Sequence, residues 1–69
     1  MKLLKVRAGL YSVSSHDQTY RIRRLPVKSR GWHAELYLGG GFWTATRYHG
    51  RTLREVVREM SASGIRVEL

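Results

Sequence analysis

Apolar and polar positions alternate at period two along much of this chain, and at helical spacing in one stretch near its end. Tyr20-Arg-Ile-Arg-Arg-Leu25 alternates apolar and basic residues as a half-buried strand does, and Pro26 ends it. Lys28-Ser-Arg-Gly31 supplies a turn. Trp32 to Leu38 alternates again, which sends Trp32, Ala34, Leu36 and Leu38 to one face and His33, Glu35 and Tyr37 to the other. Gly39-Gly40-Gly41 reads as a turn. Phe42 to Tyr48 is rich in aromatic and β-branched residues and predicts a third strand, closed by Gly50.

Thr52-Leu-Arg-Glu55 matches a capping box, in which the Thr52 hydroxyl accepts from the Glu55 amide and the Glu55 carboxylate reaches back to the Thr52 amide. A helix is expected from there. Leu53, Val56, Val57 and Met60 form one apolar stripe, and Gly64 follows as a terminator. Before the three strands, Leu3, Leu4, Val6, Leu10, Tyr11 and Val13 suggest one or two short strands broken at Ala8-Gly9. Ile65, Val67 and Leu69 suggest a brief final one. The expectation is an α+β fold: a three-stranded antiparallel sheet packed by one C-terminal helix, with possible extra short strands at both termini.

Length makes this a single small domain over residues 1–69, with a working core of about 20–62, because a chain of 69 residues buries only about 60% of its unfolded surface. Cysteine is absent, so neither disulfides nor a thiolate metal site can supplement the packing. Lys and Arg number 13 against 5 Asp and Glu, a net charge of +8, and the sequence pI is near 10.9. Such an excess suits a polyanion: nucleic acid first, an anionic membrane surface second, an acidic protein third. Ten of the cations are Arg, which favours forked recognition of phosphate and guanine. No apolar run of about 18 residues and no signal-like segment is present, so a cytoplasmic protein is expected, nucleoid-associated if it binds DNA.

With a helix on one sheet face, the pleat assigns the other. Tyr20 and Ile22 inward send Arg21 and Arg23 outward. On the third strand, Phe42, Thr44 and Thr46 inward would put Trp43, Ala45 and Arg47 outward. A slip of one residue would exchange Phe42 and Trp43, and the pattern leaves both options open. The expected open face carries Arg21, Arg23, Glu35, Tyr37, Trp43 and Arg47. An outward Trp among arginines leaves apolar surface in water, which is useful against bases, sugars or thymine methyls. Lys28 and Arg30 in the turn and Arg51 ahead of the helix are expected backbone clamps. Arg54 and Arg58 share the outer helix face with Glu55 and Glu59, a solvated and partly paired surface.

Arg21-x-Arg23, Trp32-x-Ala34-Glu35-Leu36, Phe42-Trp43-x-x-Thr46 and Thr52-x-x-Glu55-Val56 occur in the order and spacing of a known family. The stretch from Tyr20 to Met60 resembles the AP2-type DNA-binding domain of plant transcription factors, a fold that also serves as the amino-terminal arm-site-binding domain of phage and transposon integrases. The resemblance implies a three-stranded sheet in the DNA major groove, with Arg21, Arg23, Glu35 and Trp43 facing the bases. Tyr37 stands where the family has an arginine and Thr44-Ala45 where it has L-G, so base preference does not carry over. The first nineteen residues lie outside the resemblance.

The expected function is therefore double-stranded DNA binding by a monomer or weak dimer, as an integrase arm-binding, phage recombination or regulatory protein. Catalysis is not expected: no nucleophile, base and orienting group come together. His16, His33 and His49 are far apart, so neither a metal nor any cofactor is expected. The alternative is a protein-interaction module, an inhibitor or antitoxin adding strands to a partner's sheet. The strand order also loosely resembles HicB-type antitoxins, although those chains are usually acidic. RNA is a further option, since Tyr and Trp can stack unpaired bases.

Overall fold

The structure is a computed structural model describing residues 2–14, 17–26 and 31–68. Five strands, β1 (Leu3–Arg7), β2 (Leu10–Ser14), β3 (Thr19–Arg24), β4 (Trp32–Gly39) and β5 (Phe42–Gly50), precede one helix, α1 (Leu53–Ala62). Each strand pairs antiparallel with the next, in the order β1-β2-β3-β4-β5. The fold is α+β, and the sheet has five strands where the pattern marked three clearly. The amino-terminal segment does break at Ala8-Gly9, and β2 extends the sheet beside β3 through Tyr11↔Ile22 and Val13↔Tyr20. The expected final strand is only a single parallel bridge, Lys2↔Glu68, with the Leu3 amide donating to the Glu68 carbonyl at 3.2 Å.

The helix starts and stops where local chemistry dictates. The Glu55 amide donates to Thr52 Oγ1 at 3.1 Å, as a capping residue requires. The Glu55 carboxylate accepts from the Arg51 amide at 2.6 Å, one residue before the partner a capping box implies. At the other end the Ile65 amide donates to the Met60 carbonyl and the Gly64 amide to that of Ser61, with Gly64 at φ 92°. That is a Schellman closure, and it turns Ile65 and Val67 back under the sheet.

Val56, Val57 and Met60 are buried against Val13, Tyr20, Ile22 and Ala34, so the helix covers the face the alternation assigned to the core. Three inward assignments, Leu38, Phe42 and Thr44, fall on exposed residues. Leu38 is 64% exposed and Phe42 70%. A ten-residue helix is about 15 Å long, whereas strands of eight and nine residues run roughly 26 to 30 Å, so the β4–β5 hairpin overhangs its cover. Thr44, also assigned inward, is exposed in the same overhang. The glycines of the hairpin tip all hold positive φ (Gly39 95°, Gly40 61°, Gly41 85°), a run that side chains beyond glycine rarely adopt. No helix among the described residues is long and apolar enough to cross a membrane.

Candidate nucleic-acid interface

The face without the helix is organised in rows that cross the strands. Ser12, Arg21, Glu35 and Ala45 stand in one row, Leu10, Arg23, His33 and His49 in the next, and Tyr37 opposite Trp43 in a third. Trp43 and Phe42 are thus on opposite faces, and Trp43 belongs to the open one, where it is half-buried. Arg21, Arg23, Glu35, Tyr37 and Trp43 share this face, as the alternation implies.

Glu35 is the hub. Its side chain is 12% exposed, and it accepts from Arg21 Nε at 2.5 Å. Arg23 Nε lies 3.2 Å from Glu35 Oε1, and an Arg23 terminal nitrogen donates to Oε2 at 3.4 Å. His33 Nε2 is 3.4 Å from Oε2 and has no hydrogen-bond partner among the described residues. A carboxylate this covered needs compensation, and two guanidiniums supply it. The remaining acids lie elsewhere: Asp17 in a turn, Glu55 and Glu59 on the helix, Glu68 in the tail. The open face therefore keeps a cationic balance, with its one carboxylate engaged.

Arg21 is fixed from a second side. Its guanidinium carbon sits 4.3 Å from the Trp43 ring centroid, in cation–π range, and Trp43 leans on Tyr37 at 4.9 Å with the planes tilted by 51°. Tyr37 is fixed in turn, its phenol oxygen accepting from the Gly41 amide at 3.0 Å. Arg21 thus spends Nε on Glu35 and one plane on Trp43. Its two terminal nitrogens make no hydrogen bond among the described residues.

Arg47 does not join this group. Between Ala45 and His49 the β5 strand carries two more residues than β4 does between Glu35 and His33. Thr46 Oγ1 donates to the Ala34 carbonyl at 2.7 Å and accepts from the Tyr48 amide at 3.2 Å. This bulge interrupts the alternation at Arg47, while two surplus residues preserve the parity, so that His49 beyond it stands again in the open-face row opposite His33. Arg47 accordingly reaches the helix side, donating to Ser63 Oγ at 2.9 Å and lying over Tyr48. Arg51 is exposed past the far end of β5. Lys28 and Arg30 lie outside the described residues.

Three residues with clear places in the structure are not among the expected binding residues, although the alternation did send His33 to the open face. His33 flanks Glu35, a position its spacing two residues before Glu35 on one strand could have given. Arg24 packs over Trp32 at 5.1 Å, and Trp32 meets Tyr11 at 5.9 Å, a stack closing one end of the core. Arg7, opposite Leu10, ends the row that runs through Arg23 and His33. Compared with protein-family models, curated proteins and solved structures, the chain matches none.

Proposed function

We propose that this chain is a double-stranded DNA-binding module that sets the open face of β3, β4 and β5 into the major groove and binds without catalysing a reaction. Arg21 carries the reading. It is held by Glu35 through Nε and by Trp43 through its plane, and its two terminal nitrogens make no hydrogen bond among the described residues. A guanidinium so fixed suits the fork onto guanine O6 and N7, the commonest specific contact in that groove. Preorganisation lowers the entropy lost on binding. Arg23 beside it is 46% exposed, available to phosphate or base, and Trp43 with Tyr37 offers apolar surface to sugar or thymine methyl.

The net charge of +8 supports the same reading through its long-range field. So does the AP2-type resemblance, which implies DNA contacts for Arg21, Arg23, Glu35 and Trp43, four residues on one face of the sheet. The two strands before β3 set this chain apart from that three-stranded pattern.

The test is a titration of isotope-labelled protein with duplex DNA, tracking amide and arginine side-chain shifts. Expected are shifts centred on Arg21, Arg23, Glu35 and Trp43, and a log affinity that falls about 4 to 5 units per decade of salt if about five phosphates are neutralised. Shifts confined to α1, or a flat salt response, would overturn the reading. Stronger binding of single-stranded than of duplex probes would move the ligand to RNA or unpaired DNA.

A further inference from the structure

The sheet is wider than the groove proposed to receive it. At about 4.8 Å per strand, β3 to β5 span roughly 10 Å between their axes, and all five strands roughly 19 Å. The major groove is about 12 Å wide. With β3, β4 and β5 inside it, β1 and β2 must overhang its rim, where the sugar-phosphate backbone runs.

That overhang holds an open cleft of about 520 Å³ at the β1–β2 turn, lined by Arg7, Leu10, Arg23, Arg24, Leu25 and Pro26 along with the turn itself. Three of these residues are arginines and none is acidic. The arginines are not equivalent. Arg23 is partly engaged by Glu35, and Arg24 lies over Trp32 while its amide donates to the Gly9 carbonyl at 2.9 Å. The Arg7 side chain makes no hydrogen bond or ion pair among the described residues. It stands in the row of the open face that continues through Leu10 to Arg23, so the cleft and that face form one surface.

We infer that this cleft seats a backbone phosphate of the bound duplex, with Arg7 as its principal cation and Leu10, Leu25 and Pro26 against the adjoining sugar. The inference rests on the proposed DNA-binding reading and adds to it a clamp outside the groove. A contact of this kind positions the protein and carries no base preference.

The experiment measures fluorescence anisotropy of labelled duplexes of about two helical turns and unrelated sequence, between about 50 and 200 mM salt. Arg7→Ala, on an exposed strand position, is compared with the unaltered protein, with Arg7→Lys and with Arg58→Ala on the outer helix face. Losing one phosphate contact lowers the salt slope by about 0.9, so the affinity advantage of the unaltered protein over Arg7→Ala shrinks about 3.5-fold across that range. The loss should be equal on every duplex, and Arg7→Lys and Arg58→Ala should keep the original slope. An unchanged slope for Arg7→Ala, with the unaltered protein binding normally, overturns the cleft alone. Failure of the unaltered protein to bind any duplex overturns the DNA reading and the cleft with it.

Discussion

Replacing Glu35 by Gln should weaken the fold and strengthen indiscriminate DNA binding at once, an unusual pairing of signs. The exchange keeps shape and removes one charge from a side chain that is 12% exposed and faces Arg21, Arg23 and His33. A hydrogen bond to a charged group contributes about 1.5–3 kcal/mol when protected. Arg21, 29% exposed, keeps most of that. Arg23 at 46% is discounted for solvent screening to about 0.5 kcal/mol or less. The Gln oxygen still accepts one bond from a guanidinium, weaker without the carboxylate charge, so the net loss is about 1.5 kcal/mol. For a domain of this size that lowers Tm by roughly 6–12 °C, readable by circular dichroism. The Arg21 stack on Trp43 survives, since it does not involve Glu35. Meanwhile the open face loses its one carboxylate, so affinity for arbitrary duplexes at low salt should rise while discrimination among sequences falls, because Arg21 is then aimed mainly by Trp43. An unchanged Tm would refute the view that Glu35 is held by its arginines. Weaker low-salt binding by a folded variant would refute the field argument.

Trp43→Ala should cost duplex affinity about 1–2 kcal/mol, or roughly 5- to 30-fold, with little change in the environment of Trp32, measured by anisotropy and by the emission of the remaining tryptophan. Gly50→Ala should destabilise by about 1–3 kcal/mol, measured by urea unfolding, because a Cβ there would sit 2.5 Å from Glu55 Cβ and 3.2 Å from the Val56 nitrogen. Burial, helped by the nearby Tyr48, pushes the Tyr20 phenol above its ordinary value of 10.0. The folded protein then holds that proton more tightly than the unfolded chain, so stability is full below about pH 10 and declines as pH rises above it. Stability measured against pH should show this decline, and Tyr20→Phe should flatten it.

β3 and β4 were legible because apolar and polar residues alternate along them, β5 because its aromatic and β-branched residues lie between glycines, and the helix because Thr52, Glu55 and Gly64 mark both its ends. Exposure at the hairpin tip was not legible. Alternation reports the side of the sheet on which Leu38 and Phe42 stand, but not whether anything covers that side, and cover depends on how far a ten-residue helix reaches along longer strands. The fate of Arg47 was hidden for a different reason. Thr44-Ala45-Thr46 reads as ordinary strand, and the departure begins with a side-chain bond from Thr46 to a carbonyl on the neighbouring strand, a contact without a sequence period. The first fourteen residues put Leu3 beside Leu4, so their pattern could not choose a face, and pairing with β3 made the choice. Of the candidate interface, the shared face was readable; the contacts that organise Arg21 around Glu35 and Trp43 depend on distances across three strands, which carry no sequence period.

Both outermost strands of this sheet are bulged, and inner β4 carries a further surplus residue at Leu38, next to the hairpin tip. β1 gains a residue between Lys5 and Arg7, and its first residues are already occupied by the Glu68 bridge, while β5 carries its surplus opposite Ala34. A flat outer strand is a template on which a neighbouring chain can continue the ladder, and kinks there are how sheets decline the invitation. Strand addition to a partner, the alternative open at the level of sequence, would have to accommodate these kinks. The same irregularities act between copies. Copies meeting rim to rim would have to pair across a kink on each side, which works against a continuous ribbon.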